Sequence, residues 1–501
     1  MYDDQGLFGG EIHRFAHTLF DETLPCQEGG KCPFYEERDF DPDDYDVLIG
    51  YYTHAHSSKS PYGTDITKDR FVAIDEFPDG AFLKTFDTGT VTKAVNALLG
   101  DCDDSPYQFK KELTKQRTDT TLREAGTEWL TEILAERDVV QVVEDMAGGA
   151  HVDAATIAYV VLNATELENG WEYATLPNGQ VGAINPTDES VTILTRPDIG
   201  DAKGVIALDG TPTVELWRLL LGESLTHEAI HSDEEKGEYL EEGLGIRVVR
   251  TSENVKPYSS GIHVTPPKDI ALIEGVGLIE EELPSLISSR RAINQYKKLG
   301  LADLVDDWTH YGATKGINNF GKKRVGIVVG SPHYGDQELQ KWGALAGKSL
   351  SRAEDQYGSN VDFGDYGNKL LYGMREQAVL QALMRFGRDG GGATVYVHTS
   401  ALPEWVRYKA VSPQVHTWVG EKEGMKKVIA AIDELEEREW RCSQIVDAVP
   451  LSPQQVRTHL NRLEEFGFLK SRRGSGRGRP YIWSDHGIDS IGDWGHVNFD
   501  V

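Results

Sequence analysis

REQAVLQALMRFGRDGGGATVYVHT, residues 375–399, changes its periodicity halfway along. In the first half Val379, Leu380 and Leu383 recur three and four apart, the spacing of one face of a helix. The second half, ATVYVHT, is a short run of apolar and β-branched residues set off by glycines, which predicts a buried strand. A helix feeding a buried strand is half of a βαβ unit, so a parallel sheet is expected here. The same helix places Gln381, Arg385 and Arg388 at i, i+4 and i+7, predicting one stripe of planar polar groups.

Working outward, the alternation continues upstream. IALIEGVGLI (270–279), PSLIS (284–288) and RVGIVVGSP (324–332) read as strands, and SRRAINQYKKLG (289–300) and QELQKWGALAG (337–347) as helices. Residues 256–415 are thus expected to form one α/β domain. Residues 1–255 read as a second, partial one. In it YDVLIGY (45–51), FVAI (71–74), VGAI (181–184), VTIL (191–194) and VIALDGTPT (205–213) have strand patterns, and a helical insert is predicted over about 105–185. The expected fold class is α/β, with two parallel-sheet domains.

The segment 420–485 has a different character. After a helical run, GMKKVIAAIDELEERE, come a short EWRC strand, a helix at SQIVDAV, and then LSPQQVRTHLNRLEEFGFLKSRRGSGRGRPYIW. Ser452 is a good N-cap with Pro453 at the first helical position, and Val456, His459 or Leu460, and Leu463 form the buried side. Gln454, Gln455, Arg457, Thr458 and Asn461 then face outward, with side chains of the kinds that bond to base edges and phosphates. Lys470, Arg472, Arg473, Arg477 and Arg479 follow in a Gly-rich ribbon suited to tracking a nucleic-acid backbone. This segment resembles winged helix-turn-helix domains, which implies contact with nucleic acid, DNA first. An acidic tail is expected over 486–501.

The whole chain carries 51 Lys+Arg against 81 Asp+Glu, a net charge of −30, whereas 441–480 has eight basic and three acidic residues. The acid excess is spread along the sequence, as in proteins of salt-loving archaea, and a basic module inside it keeps a DNA partner open. With 39% hydrophobic residues, 20 Tyr and 16 Phe, the chain is expected to fold rather than stay disordered. No apolar run is long enough to span a bilayer and MYDDQGLFGG lacks a leader pattern, so a cytoplasmic protein without a membrane partner is expected. The four cysteines, Cys26, Cys32, Cys102 and Cys442, are too few for a disulfide framework and are expected as free thiols.

Three further stretches carry chemistry. VAIDEFP delivers Asp75 and Glu76 at the carboxyl end of a strand, where open α/β sheets hold ligands; Asp75 could hold Mg²⁺ and Glu76 could orient an attacking water. ALDGTPT puts Asp209 and Thr211 in a turn after another strand. GINNFGKKRVGIVVGSP puts Gly316 and Asn318 in a loop entering a third. Arg385 and Arg388 could clamp a γ-phosphate as arginine fingers do.

Taken in order, DEFP, LDGTPT, PSLISSRRAI, HYGATKGINNFGKKRVGIVVGSP and QALMRFGR resemble motifs II to VI of superfamily-two helicases. PCQEGGKCPFYEERDFDPDDYDVLIGYYTHAH (25–56) is similar to the segment between motifs I and II of iron-sulphur-type repair helicases. The resemblance implies two RecA-like domains, the first N-terminally truncated, of a haloarchaeal, replicon-associated type. It also implies catalytic roles for Asp75, Glu76, Arg385 and Arg388, nucleotide contacts from Gln381, Asp209, Thr211, Gly316 and Asn318, and ATP with Mg²⁺ as cofactors.

The sequence departs from that family in two ways. It lacks GxxxxGK[ST], the loop whose amides and lysine hold the β- and γ-phosphates, so the P-loop is expected from a separate polypeptide or a start upstream. GALAGKS (343–349) has too few residues between its glycines and continues a helix, so an ordinary helix end is expected. Only Cys26, Cys32 and Cys102 are available where a cluster needs four ligands, so neither iron-sulphur nor zinc is expected. HEAIH (227–231) matches HExxH, which would set two imidazoles one helical turn apart, but its acidic surroundings offer no clear third ligand.

Overall fold

The computed structural model describes residues 24–26, 40–52, 55, 66–78, 80–102, 104–115, 119–136, 151–314, 318–418, 422–435, 437, 439–475, 478–488 and 491–499. Gly316, Arg477 and Cys32 lie outside them. The chain divides into two compact units. No helix among the described residues is long and apolar enough to cross a membrane.

The first unit holds the described residues up to Glu228, with Gly335–Glu354 and Asp362–Leu371. β1 (Phe71–Asp75) pairs in parallel with β7 (Gly204–Leu208), Asp75 opposite Leu208. Around this pair the sequence reading needs correction. VGAI and VTIL do not extend the parallel sheet; they are β5 (Val181–Ile184) and β6 (Val191–Leu194) of a five-stranded antiparallel sheet, order β2-β6-β5-β4-β3. Its other members are β2 (Leu83–Phe86), β3 (Thr165–Glu166) and β4 (Glu172–Thr175).

Helices α1 (Thr88–Asp101), α2 (Lys110–Lys115), α3 (Thr120–Glu136) and α4 (Ala154–Asn163) share one core with this sheet, and α5 (Val214–Leu221) follows β7. α4 is apolar all round and buried along almost its whole length, as a helix inside a core must be. A Cβ on Gly182 would lie 2.4 Å from Val160, so only glycine lets β5 approach that helix. The expected helical insert is therefore a mixed helix-and-sheet layer. YDVLIGY is no strand either: it forms no regular element, and Val47, Ile49 and Tyr51 are exposed.

The second unit is built on six parallel strands, order β10-β9-β11-β12-β8-β13. They are β8 (Ile246–Arg250), β9 (Ser285–Ser288), β10 (Trp308–His310), β11 (Val325–Val329), β12 (Ala393–His398) and β13 (Lys409–Ala410). β9 and β11 are buried at every position. Val325, Ile327 and Val329 enter one core cluster and Val328 another, so the sheet is covered on both faces, as parallel sheets usually are. IRVVR, read as the end of the first domain, is β8 of this sheet, and the unit begins at Ala229 rather than at 256.

IALIEGVGLI is also corrected: it lies within the helix α6 (Pro266–Glu280), which leads from β8 to β9. Its apolar run has no single polar face, being mostly buried from Asp269 to Val276 while Leu278 and Ile279 are exposed, and periodicity cannot separate such a helix from a buried strand. Two prolines in the first turn mark its start instead.

From Gln414 the chain forms β14 (Gln414–Thr417), α7 (Lys422–Asp433), β15 (Glu439–Arg441), α8 (Cys442–Ala448), α9 (Pro453–Glu465), β16 (Leu469–Arg473) and β17 (Tyr481–Asp485). The three helices and the antiparallel sheet β15-β17-β16 enclose a core that includes Trp440, Ile445, Val456, Leu460, Leu463 and Trp483. The expected acidic tail is structured in part. β18 (Gly495–Asn498) pairs antiparallel with β14, and Val497 lies where a Cβ on Gly275 of α6 would be 2.8 Å away.

Candidate nucleic-acid interface and nucleotide site

α9 starts as its sequence dictates. The Ser452 hydroxyl accepts the Gln455 amide and the Gln455 side chain accepts the Ser452 amide, a complete capping box, with Pro453 in the first turn. Val456, His459, Leu460 and Leu463 are buried, while Gln454, Gln455, Arg457, Thr458 and Asn461 are exposed together on the opposite side. Gln455 is committed to the cap and the Thr458 hydroxyl donates to the Gln454 carbonyl at 3.0 Å, which leaves the side chains of Gln454, Arg457 and Asn461, and the Thr458 oxygen as an acceptor, for a ligand.

Next to the helix, the β16–β17 hairpin carries exposed Lys470, Arg472, Arg473 and Arg479. They are not equally available. Arg473 lies 3.9 Å above the Tyr481 ring and donates to the Arg479 carbonyl. Arg472 is held by Glu439 through Nε at 3.2 Å and Nη2 at 2.6 Å, which draws that carboxyl below its usual range. Sequence reasoning missed Glu439, because pairing of β15 with the hairpin is not visible from either strand alone.

In the first unit, Asp75 ends β1 exposed and Glu76 follows with φ 59°, a left-handed conformation costly for a side chain with a Cβ. The Glu76 amide donates to the Leu208 carbonyl at 2.7 Å, so the ends of β1 and β7 stay together. Asp209 continues from β7, but its carboxylate is occupied: one oxygen accepts the Thr211 amide and the other the Trp217 indole N–H, both at 2.9 Å. Trp217 meets Phe77 edge-on, and Phe77 also meets Trp342. The DEFP and LDGTPT stretches thus share one end of the parallel pair. Thr211 is buried. Mg²⁺ is commonly held by one or two carboxylates together with waters and phosphates, a demand Asp75 can meet; among the described residues no cluster of three or more His, Cys, Asp or Glu could hold a metal.

In the second unit the stripe of Gln381, Arg385 and Arg388 is broken. The helix Ala378–Leu383 ends before Arg385, and Gly387, at φ 62°, turns the chain so closely that a Cβ there would meet Gly392 at 2.7 Å. Arg385 is consequently 6% exposed whereas Arg388 is exposed. The turn does bring Arg388 near Asn318: the Asp389 amide donates to the Gly321 carbonyl, and the Gly321 amide to that of Asn318. Asp389 is gripped by both terminal nitrogens of Arg324 at 2.7 Å, which pulls its carboxyl down to about 2.

A buried polar knot at the carboxyl ends of β8 and β12 has no local signature in the sequence. Asp269, fully buried in the first turn of α6, accepts hydrogen bonds from the hydroxyls of Tyr258, Tyr296 and Thr265 at 2.9–3.1 Å and from the Thr265 amide at 3.2 Å. His398, whose Nδ1 is 2.9 Å from the Thr251 hydroxyl, is driven by burial down to about 3 and stays neutral. With its carboxylate so fully bonded, this knot fastens α6 to the sheet.

The two decoys resolve. HEAIH is exposed and not helical, so its histidines are not one helical turn apart. GALAGKS is the end of the helix Asp336–Leu345, where Gly347 closes the last turn and Lys348 lies over Tyr366. Compared with known proteins, the chain matches no protein-family model, and a search of curated proteins finds no match.

Proposed function

We propose that the chain is a helicase-like DNA-binding protein whose C-terminal segment is a winged-helix domain, with α9 as recognition helix and the β16–β17 hairpin as wing. The observation that carries this is the surface of α9 and the hairpin. Gln454, Arg457, Thr458 and Asn461 stand exposed on one side of a well-capped helix, next to Lys470, Arg473 and Arg479. A helix of about this length fits the major groove, and cations on a hairpin meet phosphates beside it. Duplex binding by the purified chain tests the reading. Replacing Arg472, Arg473, Arg477 and Arg479 by Ala should abolish it, and binding that survives would reject it.

The second unit is proposed as RecA-like, and the β1–β7 pair as the remnant of another such sheet. In the first unit Asp75 and Glu76 would hold Mg²⁺ and the attacking water; in the second, Arg388 and Asn318 are proposed as phosphate contacts. Translocation or unwinding would then need a P-loop from outside these residues, on a segment upstream or on a separate polypeptide.

A second reading is favoured by the absent GxxxxGK[ST] and by the occupied Asp209 and buried Arg385. In it the chain is a non-catalytic DNA-binding regulator on a degenerate motor scaffold. DNA-stimulated ATPase, measured with the P-loop that the first reading requires supplied, separates the two: turnover lost in Glu76→Gln supports the motor, and no turnover with intact DNA binding supports the regulator.

A further inference from the structure

β1 and β7 form a parallel pair with little cover on one face: Phe71 is 73% exposed and Ile206 52%, whereas Ile74 on the other face is buried. Parallel strands are otherwise found almost only inside covered sheets. Beside them lies a segment with strand sequence and no strand partner. In residues 45–51 Tyr45, Val47, Ile49 and Tyr51 alternate with other residues, yet Val47 is 74% and Ile49 97% exposed. Residues 46–50 make no backbone hydrogen bond among the described residues.

The flanks of that segment are fastened to the two ends of β1. The Arg70 guanidinium, just before β1, donates to the carbonyls of Pro42 and Tyr45, the latter at 2.8 Å. The Tyr52 hydroxyl donates to the carbonyl of Asp75, the last residue of β1. Beyond it, Ala55 accepts the Asp198 amide at 2.8 Å. The segment therefore runs in the same direction as β1. With Tyr45 beside Arg70, Val47 falls beside Val72 and Gly50 beside Asp75. Tyr52 is then two residues, about 7 Å, past Asp75, a gap its side chain bridges by reaching back.

We propose that residues 45–51 are a latent third strand of the first sheet, able to add in parallel to the free edge of β1, and that Tyr52 couples this pairing to the Asp75–Glu76 site. The coupling rests on reading that site as the seat of Mg²⁺ and nucleotide. A ligand on the two carboxylates fixes the strand end whose carbonyl Tyr52 holds, and the segment behind it can then pair along β1. Pairing gives the amides and carbonyls of 46–50 the partners they lack among the described residues.

Hydrogen exchange of the full chain, followed by mass spectrometry over residues 46–50, is measured without ligand, with MgCl2 alone and with MgCl2 plus ATP. The expected result is exchange slowed about tenfold or more by ligand, with the slowing lost in Tyr52→Phe while ligand still binds through Asp75. Binding through Asp75 without slowed exchange overturns the coupling, and slow exchange before any ligand is added overturns the latent character. A second measurement needs no ligand. Val47→Cys with Val72→Cys should be joined by a short bis-maleimide, the link being located in the peptide map. No link in the folded chain rejects the strand whatever the site binds. A link combined with no binding through Asp75 rejects the coupling and the nucleotide reading, and leaves the strand standing.

Discussion

Glu439→Gln is expected to tighten DNA binding. In the native chain the Glu439 carboxylate holds Arg472 at two nitrogens, both side chains being about half exposed. The pair lowers the carboxyl's proton affinity and raises that of the guanidinium, so both are charged at neutral pH and cancel one another. Arg457, Lys470, Arg473 and Arg479 are the remaining exposed cations of the interface among the described residues. If each neutralises one phosphate, these four contribute about −3.6 to the slope of log K against log salt, near −0.9 per contact. Freeing Arg472 adds one further contact and steepens the slope by about 0.9. Extrapolated from a common value at 1 M KCl, the variant should bind about eightfold more tightly at 0.1 M. Anisotropy of a labelled duplex across a KCl series measures both quantities, with Arg472→Gln as the control expected to change the native slope little. An unchanged slope in Glu439→Gln, or weaker binding, would refute the reasoning.

Other expectations follow from the same geometry. Ser452→Ala removes the hydroxyl that caps α9 and should cost about 1 kcal/mol, seen as a lower melting temperature that Ser452→Asp largely restores. Burial holds His398 neutral down to about pH 3, whereas the unfolded chain takes up that proton near 6.5, so stability should decline as pH falls from about 6.5 towards 3. In chemical denaturation this decline should be shallower for His398→Gln, and an identical pH dependence would contradict the assignment. Asp389 has the depressed carboxyl of an ion pair, so its contribution is present above about pH 4 and lost as pH falls towards 2. Arg324→Gln should remove that low-pH component, and if it leaves the acid unfolding curve unmoved the pairing is irrelevant to stability.

What the sequence disclosed depended on the range of the forces involved. The capping box at Ser452, the buried side of α9 and the outward set from Gln454 to Asn461 are short-range features, and they stand where periodicity places them. β9, β11 and β12 were legible because strands buried on both faces are nearly continuous apolar runs. α6 was misread for the same reason, since burial had removed the polar face that distinguishes a helix. The antiparallel pairing of β2 with β6, and of β14 with β18, joins residues remote in sequence, and nothing local specifies a partner. Gln381, Arg385 and Arg388 failed as a stripe because a glycine turn after Leu383 outweighed helical spacing.

A polar residue near a candidate site is free to meet a ligand only if its present partners can be given up cheaply. Asp209 would have to release a backbone amide and a Trp217 indole, leaving two donors in search of acceptors, and a lost partner for a buried donor commonly costs about 1–3 kcal/mol. Gln455 would have to open the α9 cap. Arg388 is different, since among the described residues only its Nε is engaged, with the Met384 carbonyl, and the terminal nitrogens of this exposed side chain can turn to a phosphate without loss. Asp75 likewise presents an exposed carboxylate at the end of β1. Asp75 and Arg388, more than Asp209 and Arg385, are therefore where substitution should separate a motor from a scaffold. Changes at the latter pair disturb packing first, and a loss of activity there would say little about chemistry.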